Sequence, residues 1–222
     1  MILHLVTDRS RLVGPVPLHD ARRCLLLQAQ YAIDARVECI QIRERDVDAR
    51  ELAALISDVM RLTRGTHTRV VVNDRLDVAL ACRADGVHLR ADSVPVRAAR
   101  TITPRGFLIG RSVHSQEDTA SAKDADYLIA GMVWPSVSKP KGHPVLGLEG
   151  FQSIVDAVAI PVLAIGGVTV ERVREVAAAG GAGIAAIGLF LDDRRETGCR
   201  AGPLSEMADT VRSRFDTSRS PS

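Results

Sequence analysis

Val162-Leu-Ala-Ile-Gly-Gly-Val-Thr-Val-Glu-Arg-Val-Arg-Glu-Val-Ala-Ala-Ala179 contains one complete unit of the fold. Four apolar residues suit a strand buried on both faces, two glycines allow a tight turn, and Thr169 with Glu171 opens a segment of helical period. Comparable apolar runs recur at Leu3–Thr7, Glu38–Ile42, Arg69–Val72, Gly86–Leu89, Phe107–Gly110, Tyr127–Ala130, Val162–Ile165 and Ile184–Ile187. Between them, helical spacing marks Leu18–Ala35, Asp48–Thr63, Arg75–Cys82, Ser115–Lys123 and Thr169–Ala179. Mostly apolar rather than alternating strands belong to a parallel sheet covered by helices, and eight such units predict an α/β fold closed as a (β/α)8 barrel. A doubly wound open sheet is the other arrangement these units allow.

The chain has 222 residues, 46% of them hydrophobic, which supports one domain over 1–215 and sits near the lower length limit for such a barrel. Residues 216–222 are polar and read as a frayed tail. Twenty-nine basic and 27 acidic residues are interspersed to a net charge of +2, so no footprint for nucleic acid or a membrane surface is present. No apolar run approaches the roughly 18 residues of a membrane span. The first strand follows the initiating methionine without a leader, so a cytoplasmic location and small-molecule ligands are expected. Cys24, Cys39, Cys82 and Cys199 are scattered with no CxxC pair, which fits reduced packing residues better than a disulfide framework or a zinc site.

In this architecture chemistry gathers where strands end, so the polar residues after each apolar run are the candidates. They are Asp8, Gln41 with Arg43 and Arg45, Asn73 and Asp74, Ser112 and His114, the Gly166-Gly167 pair, and Gly188. The glycines suit a phosphate cup, because backbone N–H groups lacking a Cβ beside them approach an anion closely. Arg43 and Arg45 lie on opposite faces if the strand continues and both reach the mouth if it stops; either an anion site or an ion pair with Glu44 or Asp46 accounts for them. Asp74 suits Mg²⁺ or, with Asn73, a helix cap. His114 is the candidate acid/base; His88 reads as packed, and His143 is ambiguous. The eighteen residues Gly131–Leu148, rich in Pro, Ser, Lys and Gly, read as a binding loop or lid, with a surface insertion as the alternative.

Taken in order, Leu5-Val-Thr-Asp-Arg9, Ile40-Gln-Ile-Arg-Glu-Arg45, Val72-Asn-Asp-Arg75, Ala84-Asp-Gly-Val-His-Leu89, Ile109-Gly-Arg-Ser-Val-His-Ser115, Trp134-Pro-Ser-Val-Ser-Lys-Pro140 and Ala164-Ile-Gly-Gly-Val168 resemble the thiamine phosphate synthase and TenI family. The resemblance spans nearly the whole chain and implies a TIM barrel in thiamine biosynthesis that binds a thiazole phosphate. For a synthase it implies that Gln41 contacts a pyrimidine diphosphate. Arg43, Asn73, Ser112, Ser136, Ser138 and Lys139 would then hold the diphosphate and close the site, Asp74 would bind Mg²⁺, and Gly166, Gly167 and Gly188 would cup the thiazole phosphate. It also implies a homo-oligomer. Three positions depart from the synthase pattern: Arg45 stands for a lysine, Ser93 for the second Mg²⁺ carboxylate, and Gly188 for a serine. These departures spare the thiazole phosphate half and favour, as the leading expectation, a TenI-like thiazole tautomerase without metal, with His114 as acid/base and Arg43 or Arg45 as anion contact. The alternative is a Mg²⁺-dependent synthase joining pyrimidine diphosphate to thiazole phosphate. A non-catalytic sensor of thiamine precursors is the third.

Overall fold

The structure is a computed structural model and describes residues 1–136, 142, 144–192 and 198–217. Eight strands, β1 (Ile2–Val6), β2 (Cys39–Ile42), β3 (Arg69–Asn73), β4 (Gly86–Leu89), β5 (Leu108–Val113), β6 (Tyr127–Gly131), β7 (Val162–Ile165) and β8 (Gly183–Ala186), pair in parallel and in order. The closing pair aligns Leu3 with Ile184 and His4 with Ala185, which makes a barrel and excludes the open sheet. Helices α1 (Arg9–Leu12), α2 (Leu18–Asp34), α3 (Ala49–Leu62), α4 (Leu76–Ala81), α5 (Val96–Ile102), α6 (Gly147–Asp156), α7 (Val173–Ala178) and α8 (Ser205–Asp216) follow the strands. Among the described residues no helix is long and apolar enough to cross a membrane.

Alternation within each strand divides the core in two. Leu3 and Leu5 join the large cluster between strands and helices, while Val6 belongs to the barrel interior with Tyr127, Ile129, Leu163 and Ala185. Polar side chains share that interior: His4, Gln41 and His88 are all buried. Gly110 makes room for them, since a Cβ there would sit 2.1 Å from Tyr127 Cζ and 2.6 Å from His88 Nδ1.

One device recurs at the opposite end from the mouth. The acidic residue before β2, β4 and β6 accepts the backbone N–H of the second residue of the preceding strand: Glu38 from Leu3, Asp85 from Val70, and Asp126 from Ile109. Each carboxylate thereby satisfies an amide where the ladder begins.

Several sequence expectations need correction. β5 runs on to Val113, so Arg111 and Ser112 lie inside a strand. Ser115–Lys123 contains a 3-10 helix, Glu117–Ala122, because the Asp118 carboxylate accepts the amides of His114 and Ser115 and tightens the turn. Asp216, expected to open the tail, is instead the last residue of α8; residues 218–222 lie outside the described residues. Cys24 and Cys199, expected to be unpaired, form a disulfide with a Cα–Cα distance of 5.8 Å across a sequence separation of 175. Cys39 and Cys82 are free.

Candidate functional site

β2 stops at Ile42, so Arg43 and Arg45 both face the mouth. Neither draws its partner from Glu44 or Asp46. Those carboxylates belong to Arg9, whose Nη1 lies 3.3 Å from Glu44 Oε2 and 2.5 Å from Asp46 Oδ1. Glu44 turns inward, accepts from Thr7 Oγ1 at 2.8 Å, and has its pKa raised by burial. Arg43 pairs with Asp8 at 3.5 Å, and burial with neighbouring Arg45 lowers its pKa.

Two cavities adjoin at the mouth. The first, of about 640 Å³, is lined by Gln41, Arg43, Arg45, Asn73, Ser112 and His114, with His88 and Arg90 also on its wall. The second, of about 500 Å³, is lined by Arg11, Ser136, Gly166, Gly167, Arg172 and Gly188. Ile165, Gly166 and Ile187 belong to both.

The floor of the first cavity is a hydrogen-bonded polar layer. His4 Nε2 lies 3.1 Å from Gln41 Oε1, and Gln41 Nε2 donates to Asn73 Oδ1 at 2.9 Å. His4 is the donor to that carbonyl oxygen, so both amides are held in one orientation. His88 Nε2 lies 2.9 Å from Ser112 Oγ and its Nδ1 lies 3.3 Å from Tyr127 Oη. Burial lowers the pKa of His4 to about 4 and that of His88 to about 3, so both are neutral near pH 7. His88 was expected to be packed or hydrogen-bonded and is both. His4 was missed, because in sequence it is one polar letter inside an apolar run.

His114 follows β5 at the rim. Its Nδ1 donates to the Gly131 carbonyl, which accepts only, so Nε2 is the ring nitrogen left toward the first cavity. Asp74 adopts φ +64°, sparsely used by residues other than glycine, and accepts from Ser93 Oγ through Oδ1. Its Oδ2 lies 3.9 Å from Arg90 Nη1. Asp92, adjacent to the missing second carboxylate, pairs instead with Arg90 at 2.7 Å. Among the described residues no three His, Cys, Asp or Glu side chains cluster to hold a metal. The donors that remain, one carboxylate and one hydroxyl, are hard oxygens and fit Mg²⁺, which takes few protein ligands and completes its shell with phosphate oxygens and water.

Glycine is required at the second cavity for packing as well as for anion approach. A Cβ on Gly167 would sit 2.5 Å from Pro135 O, and one on Gly166 would sit 2.3 Å from Met132 Cγ. Arg172 braces the same turn, with Nη1 donating to Gly167 O at 2.6 Å and its guanidinium 5.2 Å from the centre of the Trp134 ring. Ser138, Lys139 and His143 lie outside the described residues. Arg90 stands at the end of the fourth apolar run but was given no role, and Arg11 and Arg172 were missed as lining residues, since neither their spacing nor their neighbours sets them apart from surface arginines.

The sequence model described as thiamine monophosphate synthase matches residues 5–190. The chain belongs to the thiamine monophosphate synthase family. A thiamine-phosphate synthase from Methanospirillum hungatei is 42% identical over 188 residues, covering 83% of this chain and 87% of the relative. One from Pyrococcus horikoshii is 42% identical over 187 residues, covering 83% and 84%. The solved structure of a thiamine phosphate pyrophosphorylase from Pyrococcus furiosus superposes with a TM-score of 0.78 at 33% identity, covering 99% of this chain and 97% of that one. The chain is thus an enzyme of thiamine biosynthesis in the thiamine monophosphate synthase family. The relatives' names favour the condensing enzyme over the tautomerase, reversing the order expected from the departures at Arg45, Ser93 and Gly188.

Proposed function

We propose that the protein is a thiamine phosphate synthase that joins a pyrimidine diphosphate to a thiazole phosphate and releases diphosphate. The observation that carries this reading is the pair of cavities sharing the Ile165, Gly166 and Ile187 wall. One is lined by arginines and polar groups and the other by the glycine turns, which gives two phosphorylated substrates adjoining places.

The reaction breaks the bond between the pyrimidine methylene carbon and a diphosphate oxygen, and the electron pair leaves with diphosphate. The thiazole nitrogen lone pair then forms the new C–N bond, giving a cationic thiazolium. Gln41, held by His4, orients the pyrimidine. Arg43 and Arg45 supply guanidinium charge against the departing diphosphate, with Asn73 and Ser112 as polar contacts, while Ser136, Ser138 and Lys139 come from the connection that follows β6. Gly166, Gly167 and Gly188 form the cup for the thiazole phosphate. Asp74, with Ser93, would hold Mg²⁺, which when bound neutralises diphosphate charge and makes it a better leaving group. Ile129, Met132 and Leu146 line the first cavity and restrict water from the cationic carbon.

A metal-free tautomerase is kept as a second reading by His114, whose Nδ1 is held by the Gly131 carbonyl and which lines the first cavity. Both readings are tested in one experiment: pyrimidine diphosphate plus thiazole phosphate with Mg²⁺, beside the thiazole carboxylate tautomer alone with EDTA. The expected result is condensation that stops on adding EDTA. Aromatisation with EDTA and no condensation would overturn the synthase reading in favour of the tautomerase.

A further inference from the structure

Arg9 and Arg11 leave the same short helix, α1, with opposite fates. Arg9 is consumed by Glu44, Asp46 and the Val16 carbonyl. Arg11 is half-buried and lines the second cavity, and among the described residues no carboxylate pairs with its guanidinium. Across the cavity, Arg172 is already committed to the Gly167 carbonyl and the Trp134 ring. The acidic residue on the same wall, Glu171, has a side chain 75% exposed that lies 3.9 Å from Arg214. Among the described residues, Arg11 is therefore the uncommitted cation of this cavity.

Gly188 completes the argument. A Cβ at that position would sit 3.0 Å from Arg11 Nη2 and 3.5 Å from Nη1, so the guanidinium lies directly against Gly188 and has to yield to a side chain placed there. Unlike Gly166 and Gly167, Gly188 has no positive φ that would call for glycine on conformational grounds. We propose that Arg11 binds the phosphate monoester in the cup and that glycine at 188 is what admits it. A planar guanidinium offers paired N–H donors to two phosphate oxygens, which supplies at this site a contact that backbone amides alone do not. The inference rests on the reading of this cavity as a phosphate cup, which the synthase and tautomerase assignments share.

The test is calorimetric binding of thiazole phosphate and of the corresponding unphosphorylated thiazole alcohol, with inorganic phosphate as competitor. It uses the full chain as wild type, Arg11→Ala, Arg11→Lys, Gly188→Ser and the Arg11→Ala/Gly188→Ser pair. Arg11→Ala is expected to weaken the phosphate ester by about 10–100-fold and leave the alcohol unchanged, with Arg11→Lys between. Gly188→Ser is expected to weaken the ester in the wild-type background but not in Arg11→Ala, because there the guanidinium it displaces is already gone. Retained alcohol binding reports that each variant is folded, and Arg11→Lys preserves the charge if alanine does not fold. An ester-to-alcohol preference present in wild type and unchanged in Arg11→Ala would overturn the role of Arg11 alone. No preference for the ester in wild type would overturn the cup itself.

Discussion

At the scale of single residues, His4 and His88 make the interior polar layer sensitive to acid. In the unfolded chain each imidazole takes up a proton near pH 6.5, whereas in the folded barrel burial delays this to about 4 and about 3. Their contribution to stability is whole above pH 6.5 and is lost as pH falls through the folded values. The expected slope is about 1.4 kcal/mol per pH unit for each histidine over that window. Urea unfolding at pH 7 and pH 5 checks it, and a midpoint unchanged between the two would contradict it. Two further substitutions separate the chemical readings. Asp74→Ala is expected to abolish Mg²⁺-dependent condensation, while His114→Asn is expected to leave condensation within about tenfold of wild type yet to cost a tautomerase at least about 10²-fold. Of these residues, Asp74 and His114 were legible in the sequence because each belongs to the polar stretch at the end of an apolar run. The opposed duties of Glu44 and its arginine neighbours were not, because Arg9, the true partner of Glu44, lies 35 positions away.

At the scale of elements, all eight strands were readable from apolar runs, since strands buried on both faces leave little else in their composition. The helices were less evenly readable. α3 announces itself through the Asp48 cap and the buried Leu52, Leu55, Ile56 and Val59 on one stripe. α6 is short, starts at Gly147 and contains Gly150, which obscures the stripe of its buried Phe151 and Ile154, while α8 is mostly polar and lacks the clear apolar period of α3. Arg111 read as a residue following the fifth apolar run, but it lies within β5, is buried and donates to the carbonyls of Ala91, Ser93 and Val94. It thereby fixes the turn that brings Ser93 to Asp74. The carboxylates that begin the even strands also act between elements. Asp126→Ala removes the acceptor for Ile109 N–H and the partner of Arg100, and is expected to destabilise the fold by about 1–3 kcal/mol without altering substrate affinity. Denaturant midpoints and a KM measurement on the same variant test both halves of that expectation.

At the scale of the whole molecule, the barrel is closed by hydrogen bonds between its first and last strands, and the Cys24–Cys199 bond crosses the same seam from α2 to the segment after β8. No spacing rule could have revealed this pairing, because the two cysteines become neighbours only when β8 lies beside β1. Breaking it is expected to cost about 2–5 kcal/mol, read as a lower denaturant midpoint with reductant or in a Cys24→Ala/Cys199→Ala variant. Identical midpoints with and without reductant would remove the bond from the account of stability. The seam also shapes how the protein is made. β1 leaves the ribosome first and its partner β8 last, so throughout synthesis the nascent chain carries two open sheet edges that only Gly183–Ala186 can cover. Its most hazardous interval is therefore the one just before β8 emerges, when seven strands are present and the two at the open edges, β1 and β7, are waiting for the eighth.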